Sequence, residues 1–216
     1  RGSARLGGAR HGFLLTLRKY MKTIEYKIIG TTPFLFNRFK IESVSNKSKV
    51  KSGSAGNDPE EWRDKVWCED TRLFVPAYYI FGTVSEGAHY VKEGKGSIKK
   101  KLMGCMLVKG EKFYLNYTLP KPIALIETEE LSRDSSQEIY LDIRAVKNPT
   151  TKGKNVRYRV AMKPGWELTV AFEWDDTILS RDNIKQAIEA AGKFVGLGDA
   201  RLIGCGRYVC KDVVIS

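Results

Sequence analysis

The sequence predicts an α+β fold, an antiparallel sheet backed by two main helices, and three observations carry that prediction. Residues 23–30 (Thr-Ile-Glu-Tyr-Lys-Ile-Ile-Gly) and 166–174 (Trp-Glu-Leu-Thr-Val-Ala-Phe-Glu-Trp) alternate with the two-residue period of half-buried strands. Ala77, Ile80, Phe81, Val84 and Ala88 fall on one helical face, as do Ile184, Ala187, Ile188 and Ala191. The order strand, helix, strands, strand, helix, strand is that of one ferredoxin-like unit with insertions.

At 216 residues, 42% of them hydrophobic, the chain has enough length and apolar content for one domain with a real core. It divides into a leader over residues 1–20 and a single domain over 21–216, with insertions at about 40–57, 91–101 and 147–155. The leader begins at Arg1, lacks periodicity and reads as vector-derived or upstream-translated, with Met21 as the natural start. The first strand ends at Gly30, and Thr31 to Phe39 form a loop too aromatic to be merely solvated. Residues 42–57, rich in Ser, Lys, Gly and Asn, are expected to be mobile. Asp58 as cap and Pro59 at the first position then start a short helix.

A hairpin is expected from Trp67 to Val75, and Pro76 opens the first main helix. Residues 91–101 read as a lysine-rich loop, followed by strands near 103–108, 112–117 and 122–127 and an acidic loop with Glu127, Glu129 and Glu130. Alternating residues 138–146 and 156–162 form a second hairpin, whose tip over 148–155 is too long for a tight turn and projects. Asp175-Asp176 makes a turn before Ser180, the cap of the second main helix. A glycine-rich turn and a last strand, 207–215, complete the chain.

Charge narrows the function. The formal net charge is +12, and because residues 1–20 hold five cations and no acid, the remainder still carries +7. Such an excess points to a polyanionic partner. Gly196, Gly198, Gly204 and Gly206 fall within eleven positions beside Arg201 and Arg207. Glycines let a backbone approach a ligand closely, and arginine forks match phosphate oxygens. The hairpin adds Arg144, Lys147, Lys152, Lys154, Arg157, Arg159 and Lys163 against Asp142 alone. Arg157 and Arg159 share a strand face with Tyr158 opposite, a pattern suited to phosphates and a stacked base. The run Lys95, Lys99, Lys100 and Lys101 could extend the basic surface, and the exposed face of the sheet is a further candidate platform.

Nothing in the sequence demands an enzyme. Asp175 and Asp176 are the best carboxylate pair and read as a turn; outside the leader His89 is the one candidate general base, and reads as a half-buried helix-end residue. No Walker loop, nucleophile elbow or zincin helix is present, and neither a cofactor nor a metal is implied. Cys68, Cys105, Cys205 and Cys210 are scattered and read as free thiols in a reducing compartment, hence cytoplasm. No apolar run reaches the length of a membrane span.

The Gly30–Arg38 segment, Arg157-Tyr158-Arg159, the strand from Trp166, the 191–201 stretch and Gly204-Cys205-Gly206-Arg207-Tyr208 together resemble a family of largely uncharacterised tailed-phage and prophage proteins. More distantly, the last helix, glycine-rich loop and strand are similar to the RAMP superfamily of CRISPR effector backbone and crRNA-processing proteins. That resemblance implies an RRM- or RAMP-type ferredoxin-like core with a projecting hairpin. It further implies that Gly196, Gly198, Arg201, Gly204, Gly206 and Arg207 contact a nucleic-acid backbone. No catalytic histidine stands at a matching place. The expectation is a bacterial-host cytoplasmic, non-catalytic binder of single-stranded RNA or DNA, RNA favoured, using those residues with Lys152, Lys154, Arg157, Tyr158 and Arg159. Copies along the strand or a larger ribonucleoprotein would be its assembly. The alternatives are a metal-independent endoribonuclease using His89 or Tyr208, and a phage protein-interaction module acting on a host defence or assembly complex.

Overall fold

The computed structural model describes residues 20–38, 59–147 and 153–213. The expectations for the leader, the 42–57 segment, the Asp58 cap and most of the hairpin tip lie outside those residues. The elements run β1 (Met21–Gly30), β2 (Phe34–Leu35), α1 (Glu61–Lys65), β3 (Cys68–Glu69), β4 (Arg72–Pro76) and α2 (Ala77–Gly87). There follow β5 (Lys92–Glu93), β6 (Gly96–Ser97), α3 (Lys99–Cys105), β7 (Met106–Lys109), β8 (Lys112–Thr118), β9 (Ile139–Lys147) and β10 (Lys154–Met162). The chain closes with β11 (Glu167–Asp175), α4 (Arg181–Ala190) and β12 (Tyr208–Val213).

The strand period read from the sequence is kept. In β1, Ile24, Tyr26 and Ile28 are buried while Thr23 and Glu25 are exposed. β1 pairs antiparallel with β11 on one side and β12 on the other, and β11 pairs antiparallel with β7. The order β12-β1-β11-β7 has α2 lying between β1 and β7 in the chain and α4 between β11 and β12. This is the ferredoxin-like order, and the remaining elements are insertions into it.

The two helices pack closely because the sequence leaves room for their backbones. A Cβ on Gly87 would stand 2.5 Å from the Ala187 carbonyl oxygen and 2.6 Å from the Ala191 Cβ. Two of the buried tryptophans find acceptors, as burial favours. Trp166 Nε1 donates to the Thr32 carbonyl at 2.8 Å and Trp174 Nε1 to the Leu179 carbonyl at 3.0 Å. Asp175 accepts from the Thr177 amide and hydroxyl, which makes the expected turn, and Ser180 caps α4 in a capping box with Asn183.

Four local expectations are corrected. α1 begins at Glu61 with Glu60 at its N-cap, so Pro59 does not hold the first helical position; the Glu60 carboxylate accepts from Arg63 at 2.6 Å and from the Thr128 hydroxyl. Residues 91–101 are not one loop: they form the β5–β6 hairpin and the first turn of α3, held by buried Ile98, Leu102 and Cys105 at helical spacing. That helix occupies the first half of the strand expected at 103–108, whose second half belongs to β7. Residues 122–127 are a short 3-10 turn over Ile123–Leu125, since Pro120 and Pro122 supply no ladder donors.

The outward sheet face is slightly acidic. It carries Glu25, Glu167, Glu173 and Asp175 against Lys27, Lys109 and Lys211, with Lys27 2.7 Å from Glu167 and Lys109 3.9 Å from Glu173. No aromatic side chain joins them on that face of the four strands. It offers a polyanion neither net positive charge nor stacking rings.

Candidate nucleic-acid interface

The glycine-rich turn is first of all a clasp. α4 ends in a π-turn over Ala191–Val195, after which Gly196, Gly198, Gly204 and Gly206 all take positive φ, at +85°, +86°, +91° and +73°. The turn closes on itself through the Leu197 amide donating to the Gly206 carbonyl at 2.8 Å. It is pinned to the first loop and β2 by the Gly206 amide on the Pro33 carbonyl at 2.7 Å and the Asp199 amide on the Leu35 carbonyl at 2.9 Å. A Cβ would meet the Leu197 oxygen at 1.8 Å from Gly206, the Leu35 oxygen at 2.6 Å from Gly198, and the Cys205 oxygen at 2.7 Å from Gly196. These three glycines are therefore required by chain packing. Only Gly204 borders open space, with nothing within 4 Å of its Cβ position.

The hairpin of β9 and β10 turns one face to the core and the other to this clasp. The registers Tyr158↔Ile143 and Val160↔Leu141 belong to the core face, and Arg157↔Arg144, Arg159↔Asp142 and Ala161↔Tyr140 to the other. On that second face Tyr140 and Ala161 form a small buried cluster with Leu35 of β2 and Cys205 of the clasp. Arg159 Nε lies 2.8 Å from an Asp199 carboxylate oxygen, and Arg144 Nε 2.6 Å from buried Asp142. Burial pushes the Cys205 thiol above its ordinary pKa, and Arg144 works against that shift.

Between the clasp, the hairpin and the end of α2 lies a groove of about 850 Å³. Five cationic side chains line it: Arg144 and Lys147 from β9, Arg159 from β10, and Arg201 and Arg207 from the clasp. Two carboxylates, Glu86 and Asp199, share it. Arg201 pairs with Glu86 at 3.2 Å in an exposed contact. Arg207 is fixed through its backbone, its amide donating to Thr32 Oγ1 at 2.8 Å and its carbonyl accepting from the Thr31 amide at 2.8 Å. Its Nη1 is buried with no hydrogen-bond partner among the described residues. A buried guanidinium nitrogen in that state is a donor awaiting an acceptor.

Of the residues singled out from the sequence, Arg144, Lys147, Arg159, Arg201 and Arg207 converge here, whereas Gly196, Gly198, Gly204 and Gly206 shape the clasp without lining the groove. Arg157 does not line the groove; it turns to Glu61 of α1 at 3.4 Å, and Glu61 also accepts from the Tyr158 amide. Tyr158 is half-buried against the core and does not line the groove. Lys154 is exposed at the start of β10 outside the groove lining, and Lys152 lies outside the described residues. Lys99, Lys100 and Lys101 belong to α3 and line no part of the groove, and Lys101 instead pairs with Glu93 at 2.8 Å. His89 is exposed rather than half-buried, and lines the groove in the short turn after α2. Tyr208, the other residue of the cleavage alternative, is buried and its hydroxyl is pushed well above its ordinary pKa by desolvation, which unsuits it to act as a base near neutral pH. The sequence did not single out Tyr90, Phe194, Leu202 or Ile203, which line the same groove. Exposed apolar residues at helix ends carry no periodic signal.

The strand order and the groove define an α+β, ferredoxin-like protein with a cationic cleft between its glycine clasp and a long hairpin. No protein-family model and no curated protein matches the chain. Among solved structures it is similar to a chain of the cryo-EM structure of the type III-B Cmr-beta bound to cognate target RNA. That likeness has a TM-score of 0.49 at 13% identity, and covers 98% of this chain and 68% of that one. It is also similar to the crystal structure of Cmr6 from Pyrococcus furiosus, with a TM-score of 0.41 at 14% identity, over 90% of this chain and 99% of that one. Among the described residues no helix is long and apolar enough to cross a membrane.

Proposed function

We propose that this protein binds single-stranded nucleic acid along the groove without cleaving it, RNA being the favoured strand. The observation that carries this is the convergence of Arg144, Lys147, Arg159, Arg201 and Arg207, from segments far apart in the chain, on one cleft with two carboxylates. Phosphates would sit on the Arg207 and Arg201 forks, with Lys147 and the hairpin arginines adding charge along the strand. Backbone contacts of this kind position a strand and carry no base sequence, so affinity should vary little with sequence. The preference for RNA follows the resemblance of the last helix, glycine-rich loop and strand to RAMP proteins. Assembly of copies along the strand, or within a larger ribonucleoprotein, is the extension of the same reading.

The test is fluorescence-anisotropy binding of a labelled strand of about 30 nucleotides, as RNA and as DNA, from low to physiological salt. Three to five phosphate contacts give a log-log salt slope of roughly −2 to −3.5 on single strands. Absence of binding even at low salt, or binding insensitive to salt, would sink the proposal. The carboxylate on Arg201 competes with phosphate, so Glu86→Gln should tighten RNA binding. The gain expected is about two- to fivefold, small because the Arg201–Glu86 pair is exposed. A weaker-binding Glu86→Gln protein would show that the pair orients Arg201 rather than neutralising it.

A further inference from the structure

We propose that Tyr90 and Phe194 form a stacking step on the rim of the groove that takes the face of an unpaired nucleobase. Their ring centroids lie 4.9 Å apart at an interplanar angle of 33°, and the residues are 52% and 45% exposed. Two large rings in contact, tilted by 33° and half in water, have no packing reason to stay uncovered.

The sequence places both rings there through helix endings. Tyr90 ends the short turn Ala88–Tyr90 that follows α2. Phe194 lies in the π-turn after α4, whose extra residue carries Phe194 off the stripe of Ile184, Ala187, Ile188 and Ala191 and leaves Val195 to continue it. Lys193 stands with its Nζ 5.2 Å from the Phe194 ring centroid, adding a cation at the platform. Both rings line the groove that Arg201 and Arg207 line, and exposed Leu202 and Ile203 extend its apolar surface.

A flat aromatic surface beside phosphate-binding cations matches a strand whose bases are unstacked from one another. It gives the platform a ligand class, the nucleobase of a single strand, that a protein surface or a duplex would not satisfy in the same way. Stacking tolerates any base, because each has a π face. Tyr158, the ring that alternation along β10 offers, is occupied by the core, and this pair stands in its place. The proposal rests on the function proposed above, since a base reaches the rings only if the phosphates run through the groove.

The experiment compares two labelled strands of equal length and charge, a 2-aminopurine-containing oligoribonucleotide and its abasic counterpart, on the wild-type protein and on Tyr90→Ala plus Phe194→Leu. The expected result is quenched 2-aminopurine and at least tenfold tighter binding of the base-bearing strand. The double variant should lose both while keeping the salt slope. Tyr90→Phe with Phe194→Tyr, which preserves the ring faces, should restore both and separates loss of stacking from loss of fold. Equal affinity for the two strands, or quenching that survives in the double variant, would overturn the stacking step and leave the groove function standing. Failure of both strands to bind at low salt would overturn the groove function and the stacking step together.

Discussion

Gly206→Ala is expected to cost about 2–5 kcal/mol of folding stability, a large fraction of the roughly 5–15 kcal/mol that holds a typical domain folded. Two physical terms add. An alanine held at φ +73° carries a left-handed penalty of roughly 1–2 kcal/mol. Its Cβ would lie 1.8 Å from the Leu197 oxygen, so the clasp must open, and forced repacking costs about 1–3 kcal/mol more. Gly204→Ala is the matched control. It carries the same left-handed penalty at φ +91° but has empty space around its Cβ, so about 1–2 kcal/mol is expected. Urea unfolding of the two variants measures the difference. Equal losses would mean that the Leu197–Gly206 contact yields at no cost and that the clasp does not anchor the turn. The outcome bears on function, because the same clasp sets the positions of Asp199, Arg201 and Arg207 in the groove.

Local signals were legible in the sequence because local physics made them. β1 and β11 follow a two-residue period, α4 buries Ile184, Ala187, Ile188 and Ala191 as its spacing predicts, and Ser180 caps it. The facing of β10 could also be read, since alternation alone puts Arg157 and Arg159 on one face. What each face meets was not legible. Arg157 finds Glu61 while Arg159, two residues on, finds Asp199, a division set by α1 and the clasp rather than by the strand. α3 escaped notice because its buried residues Ile98, Leu102 and Cys105 are masked by the lysines between them. The glycines drew attention for their freedom to approach a ligand, whereas three of the four are needed by contacts with the carbonyls of Leu35, Leu197 and Cys205. Convergence of the ends of α2 and α4 on one groove is a tertiary fact with no one-dimensional trace.

Arg201→Ala combined with Arg207→Ala is expected to weaken single-strand binding by roughly tenfold per arginine and to reduce the log-log salt slope by about 1.4, or 0.7 per lost phosphate contact. The two should contribute unequally. Arg201 already shares its charge with Glu86 at 3.2 Å, so part of its phosphate affinity is spent on exchanging partners. Arg207 has a buried Nη1 without a hydrogen-bond partner among the described residues, and a phosphate oxygen that reached it would satisfy it without displacing an ion pair described there. Arg207→Lys then discriminates charge from geometry. If only charge matters it should bind as the wild type does, whereas a forked contact predicts a loss close to that of alanine, because an ammonium cannot offer two parallel donors. Lys100→Ala, exposed on α3 and away from the groove, should leave the slope nearly unchanged. A double arginine variant that binds with wild-type affinity and slope would remove the clasp from the interface. A Lys100→Ala variant that loses as much as the arginines would show that diffuse positive charge, and not this groove, holds the strand.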